Sequence, residues 1–123
     1  MADLPPGPKL DALVAEAMGW EWKHSFTGKL WRGPGKRRAG DWKTHPPAFS
    51  TTGDGMLAMM EWVTATERQW DIKVYAEFSP FLSKRWHACI KTKKREFWSY
   101  TDAAPHAVAL VVSWAGKAEK DKP

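Results

Sequence analysis

A single cysteine, Cys89, is all the thiol chemistry in this sequence, which excludes an internal disulfide and a cysteine-rich zinc site. The four histidines, His24, His45, His87 and His106, show no ligand-like spacing such as HxH or HExxH, so no metal is expected. There is no serine-nucleophile motif, and the fourteen carboxylates are scattered rather than paired, which argues against general acid–base chemistry. "STTGDG" at 50–55 lacks the Gly-Lys-Ser/Thr signature of a phosphate loop. No apolar run approaches the eighteen residues of a membrane span. The opening "MADLPPGPKLDALVAEAMGW" has no basic region followed by a continuous apolar one, so a cytoplasmic location is expected. Internal repeats and linkers are missing too. These absences together point to a non-enzymatic protein with no catalytic residues and no cofactor.

Tryptophan, by contrast, is abundant: nine in 123 residues, suggesting either an aromatic core or a surface that stacks on ligands. Hydrophobic residues make up 43% and charged residues 27%, an ordinary globular composition. The length fits one domain with its own core. The formal charge of +5 favours anionic partners: nucleic acid, nucleotide or acidic protein.

Periodicity places the elements. Residues 1–8 are a Pro-rich lead-in, and a single α/β domain is expected over 9–116. Pro8 sits where a first helix would begin, Leu10, Leu13, Val14, Ala17 and Met18 form its stripe, and Gly19 ends it. "WEWKHSF" alternates as a short strand with Trp20, Trp22 and His24 on one side. Residues 28–47, "GKLWRGPGKRRAGDWKTHPP", show no period and read as a basic, Trp-containing loop. A second helix follows "FSTT", with Ser50, Thr51 and Thr52 as possible caps and Thr51–Asp54 as a capping box. Its stripe is Met56, Leu57, Met60 and Val63. "DIKVYAEFS" alternates Ile72, Val74, Ala76 and Phe78 as a strand, and "SPFLSK" turns it. "RWHACIKTK" and "EFWSYT" make two more strands, joined by a basic turn. A third helix starts near Thr101 or Asp102, with Val108, Val111, Val112 and Ala115 inward, and 117–123 read as a polar, frayed tail. The order is α-β-loop-α-β-β-β-α, an antiparallel meander with helices over at least one face.

Three stretches carry a resemblance: "LDALVAEAMGW" at 10–20, "PPAFSTTGDGMLAMMEWV" at 46–63 and "SYTDAAPHAVALVVSWAG" at 99–116. In order and spacing they resemble the small phage proteins grouped as the phage ABA-sandwich domain family. Members typically carry a leucine-rich first helix ending in Met-Gly-Trp, a Pro-Pro-aromatic-Ser-Thr entry to the second helix and an Ala-Pro-rich entry to the third. The resemblance implies an α/β/α layered sandwich and a phage or prophage origin, and little about activity. Some small phage proteins with pockets are sponges for nucleotide second messengers of bacterial immunity, which makes sequestration an expectation by analogy.

The expected site is the basic loop. Cations interleaved with Trp suit phosphate plus base, so Arg32, Lys36, Arg37, Arg38 and Lys43 would meet phosphate while Trp31 and Trp42 stack on a ring. Ser50 and Thr51 would add hydrogen bonds from the second helix's N-terminus, although plain capping explains them as well. "KTKKRE" at 91–96 is a further basic cluster, read chiefly as a solvated turn. Trp20, Trp22, Trp62, Trp86 and Trp114 read as core, Trp98 and Tyr100 as possible pocket lining, and Cys89 as a buried structural thiol. The expected partner is a small anionic nucleotide-type ligand held by a homo-oligomer. Two alternatives stay open: a nucleic-acid module resembling double-stranded-RNA-binding domains in element order, and a protein that binds a host protein.

Overall fold

The computed structural model describes residues 3–65, 67–77, 80–81 and 85–121. Pro8 opens α1 (Pro8–Ala17), and Gly19, at φ +88°, turns the chain out of it. β1 (Glu21–Ser25) and β2 (Gly28–Arg32) form an antiparallel hairpin with Trp22 opposite Trp31. α2 (Gly53–Val63) follows, then an antiparallel meander in the order β3 (Asp71–Ala76), β4 (Trp86–Lys91), β5 (Glu96–Thr101), and finally α3 (Ala104–Lys120). The class is α/β and the meander is the expected one.

The order is α-β-β-α-β-β-β-α, so the segment from residue 28 begins with a strand rather than a loop. β2 shows no alternating apolar signal. What orders it is pairing, with β1 on one side and with Lys43 on the other. Trp31 N–H donates to Lys43 O and Lys43 N–H to Trp31 O, both at 2.7 Å.

α3 is the centre of the molecule. Every residue from Ala107 to Ser113 is buried, as are Ala115 and Gly116, well beyond the expected stripe. One side of α3 packs on β3, β4 and β5, and other sides meet α1 and α2. A helix apolar all round is a helix surrounded. At the α1–α3 crossing a β-carbon added to Gly116 would collide with Ala17, so only glycine permits this approach. α3 also runs to Lys120, whose ammonium donates to Glu16 O at 2.7 Å, so 117–120 are helix rather than frayed tail.

The meander's inner face presents Ala88, Ile90, Phe97, Ser99 and Thr101 to α3, and Ser99 Oγ donates to Ala107 O at 2.7 Å. Its outer face carries a cross-strand row, Tyr75–His87–Tyr100. The His87 ring stacks on Tyr75 with centroids 4.8 Å apart and meets Tyr100 edge-on at 4.5 Å. His87 is thereby buried, and so is Cys89, set between Lys73 and Trp98 in the same register, although both point away from the helices. Burial pushes the Cys89 thiol up from its ordinary value, Glu96 adds to that, and Lys73 and Lys91 oppose it.

Several local expectations shift. α2 is capped by Thr52, whose Oγ1 accepts the Gly55 N–H at 3.0 Å, one residue beyond the expected Thr51–Asp54 box. Leu13 and Leu57 are exposed, and Trp22 with His24 faces solvent rather than the core, with Lys29 over the Trp22 ring. Phe78 and the turn residues Ser79, Leu82, Ser83 and Lys84 lie outside the described residues, as do Lys122 and Pro123.

Candidate functional site

The structure scatters the residues expected to bind together. Trp31 is 4% exposed and anchors the hairpin in the core. Trp42 is half-buried, with the Lys23 ammonium 4.3 Å and the Arg32 guanidinium 4.4 Å from its ring centroid. Arg32 donates to Glu21 Oε2 at 2.9 Å, and Arg37 lies 3.7 Å from Glu21 Oε1. Lys36, Arg38 and Lys43 are exposed, and Asp41 Oδ2 accepts the Arg38 N–H at 2.9 Å.

Ser50 is buried, not presented to solvent. Its Oγ donates to Asp11 Oδ1 at 2.6 Å and accepts the Gly7 N–H at 2.9 Å, while its own N–H donates to the same Asp11 oxygen at 2.8 Å. The expected hydrogen bond to a ligand is thus unavailable, because the hydroxyl holds the lead-in against α1. Thr51 is exposed two residues before α2 begins.

A concave site lies elsewhere, between the C-terminal end of α2, the β4–β5 turn and the last turns of α3. This cleft of 810 Å³ is lined by Trp62, Trp70 and Phe97, with Arg68, Lys93, Lys94 and Arg95 around them. Its size is that of a small-molecule site, for which roughly 300–1,000 Å³ is usual. Trp62 and Trp70 meet edge to face at 5.7 Å. The Arg68 guanidinium sits 3.9 Å over Trp62 and donates to Trp62 O at 2.8 Å, so its charge is held in place by the protein itself. Arg95 lies 4.7 Å over Phe97. Thr92 builds the turn that presents Lys93 and Lys94, its Oγ1 accepting the N–H groups of Lys94 and Arg95 at 3.3 and 3.2 Å. Glu67 and Glu119 also line the cleft, leaving cations in excess, four to two.

A second cleft of 640 Å³ adjoins the first through Arg95 and Ala118, between α1 and the end of α3. No residue of 28–47 lines either cleft. The sequence does flag half of the first cleft, as "KTKKRE". The other half, Trp62, Arg68 and Trp70, reads as helix and core until the chain's turn after α2 folds Arg68 back onto Trp62. Trp98 and Tyr100 line neither cleft; both are exposed on the meander's outer face.

Among the described residues no group of three His, Cys, Asp or Glu side chains is placed to hold a metal ion, and no helix is long and apolar enough to cross a membrane. No family model matches the chain, and no curated protein does. The fold is similar to that of a solved phage protein from Bacillus cereus ATCC 14579, with a TM-score of 0.66 and 15% identity. The likeness covers 96% of this chain and 92% of that one.

Proposed function

We propose that this is a non-enzymatic binding protein that holds a small anionic ligand with a flat ring, of nucleotide type, in the 810 Å³ cleft. The observation that carries the reading is the pairing of a pinned Arg68 with two tryptophan rings and a lysine-bearing turn around one concavity. Trp70, half-buried and with no cation against its ring among the described residues, is the ring that would stack on a base, for about 1–3 kcal/mol, while Arg68 and the turn lysines neutralise phosphate. Membership of the phage ABA-sandwich group, suggested by the Met-Gly-Trp and Pro-Pro-x-Phe-Ser-Thr motifs and supported by the fold's likeness to a phage protein, gives the binding a purpose. That purpose is sequestration of a nucleotide second messenger of host immunity, in the bacterial cytoplasm. A second copy closing over the cleft's open side would deepen it, which makes a homo-oligomer part of the same proposal.

A thermal-shift screen against cyclic di- and trinucleotides and ADP-ribose derivatives tests it. A ligand at a hundred times its Kd stabilises the fold by about 2.7 kcal/mol, several degrees for a domain of this size. The shift should vanish in the exposed double variant Lys93→Ala/Lys94→Ala. No shift with any nucleotide, or a shift indifferent to that variant, overturns the reading.

A further inference from the structure

Charge is unevenly shared along this chain. Residues 21–45 contain seven Lys and Arg residues and two acids, an excess of five that equals the formal charge of the whole protein. The remaining residues balance, twelve of each sign. The fold gathers that excess on one arm: β1, β2 and the segment that returns to bridge Trp31 at Lys43. Both acids are engaged within it, Glu21 by Arg32 and Arg37, Asp41 by the Arg38 backbone. Lys23, Lys29, Lys36, Arg38 and Lys43 are exposed, and none of them makes an ion pair among the described residues.

The arm's aromatic rings already have occupants. Trp31 is buried, Trp42 has Lys23 and Arg32 against it, and Lys29 sits 4.1 Å over Trp22. A single-strand binder needs open ring faces for successive bases. Here the rings instead steady Lys23 and Lys29, which have no acid of their own among the described residues, an arrangement suited to phosphate. Register decides the shape of the partner. Lys23 and Arg32 project from one face of the ribbon, while Lys29, the cross-strand partner of His24, and Lys43, bridged to Trp31, project from the other. A flat lipid surface meets one face at a time, whereas a nucleic-acid groove has phosphates along both walls. Beyond the Lys43 bridge at Trp31, the tip of the arm is a two-stranded ribbon, narrow enough to enter the major groove of B-DNA.

From this we infer that the β1–β2 arm docks on duplex DNA. It grips the phosphates on both sides of the groove through Lys23, Lys29, Lys36, Arg38 and Lys43, and it is indifferent to base sequence. The inference is independent of the proposed function, because no residue of the arm lines either cleft.

The test is fluorescence anisotropy of the full chain with labelled 20-base-pair duplexes of two unrelated sequences, a matching single strand and phosphatidylserine vesicles. Four to five phosphate contacts predict equal affinity for the two duplexes and a loss of about 10²–10³-fold between 50 and 200 mM salt. Lys29→Glu/Lys43→Glu should weaken duplex binding at least tenfold with an unchanged melting temperature. Lys36→Glu/Arg38→Glu, outside the strands, serves if the first pair disturbs the hairpin. Lys93→Ala/Lys94→Ala should leave duplex binding intact while abolishing the nucleotide shift, so each reading can fail alone. Absence of duplex binding at 50 mM salt, tighter binding to the single strand or to vesicles, or equal loss in the cleft variant overturns the inference.

Discussion

Ser50 and Cys89 are polar side chains whose working partners lie inside the protein. Asp11 is buried, and the Ser50 hydroxyl and N–H both donate to its Oδ1. Ser50→Ala removes one of those donors and leaves a buried carboxylate short of a partner, a loss of about 1–3 kcal/mol. We expect a correspondingly lower urea midpoint with an unchanged m value. Cys89 gives a pH dependence. Its thiol is held above the ordinary value of 9.0, so the folded chain keeps a proton that the unfolded chain releases. The stability from that difference is complete below about pH 9 and is lost as pH rises through the higher folded value. Urea midpoints between pH 8 and 10.5 should therefore fall more steeply in the parent protein than in Cys89→Ala. That Cys89 is a buried thiol was legible from its place among strand residues. That Ser50 serves Asp11 was not, because the two are 39 residues apart and no local pattern joins them.

At the scale of elements, strands and helices with their own periodicity were readable, the meander included, and an element ordered by its neighbours was not. Pro8 and Gly19 bracket α1 as their backbone chemistry requires, and the alternation in "DIKVYA" lies within β3. β2 escaped because Gly28–Arg32 is ordered by two neighbours rather than by its own pattern. The cleft escaped for the same reason, since its tryptophans precede the meander while its lysines sit in the turn between β4 and β5. Helix crossing supplies a test. Gly116 admits Ala17 at the α1–α3 contact, so Gly116→Leu forces the two helices apart. Overpacking of this kind costs roughly 1–3 kcal/mol or more, and the variant should melt several degrees lower with increased amide exchange in α1. An unchanged melting temperature would show that the crossing has room to spare.

Taken whole, the molecule separates two kinds of surface. A nearly charge-balanced body carries an aromatic cleft, and a cationic arm stands apart from it in sequence. The two share no lining residue, so occupation of one should leave the other's affinity unchanged. Titrating duplex in the presence of saturating nucleotide tests this, and a coupling factor near one is expected. A coupling of tenfold in either direction would mean that a common element moves.

The position of α3 has a further consequence, one of timing. Ribosomes deliver a chain from its N-terminus at about 5–20 residues per second, and a domain generally folds as a unit. Here the helix around which α1, α2 and the meander are assembled is made after all of them. Until Ala104–Lys120 leaves the exit tunnel, the apolar sides of the earlier elements have no common partner. The nascent protein must therefore wait for its own centre and then close around it in one step, while its aromatic surfaces remain open to chaperones.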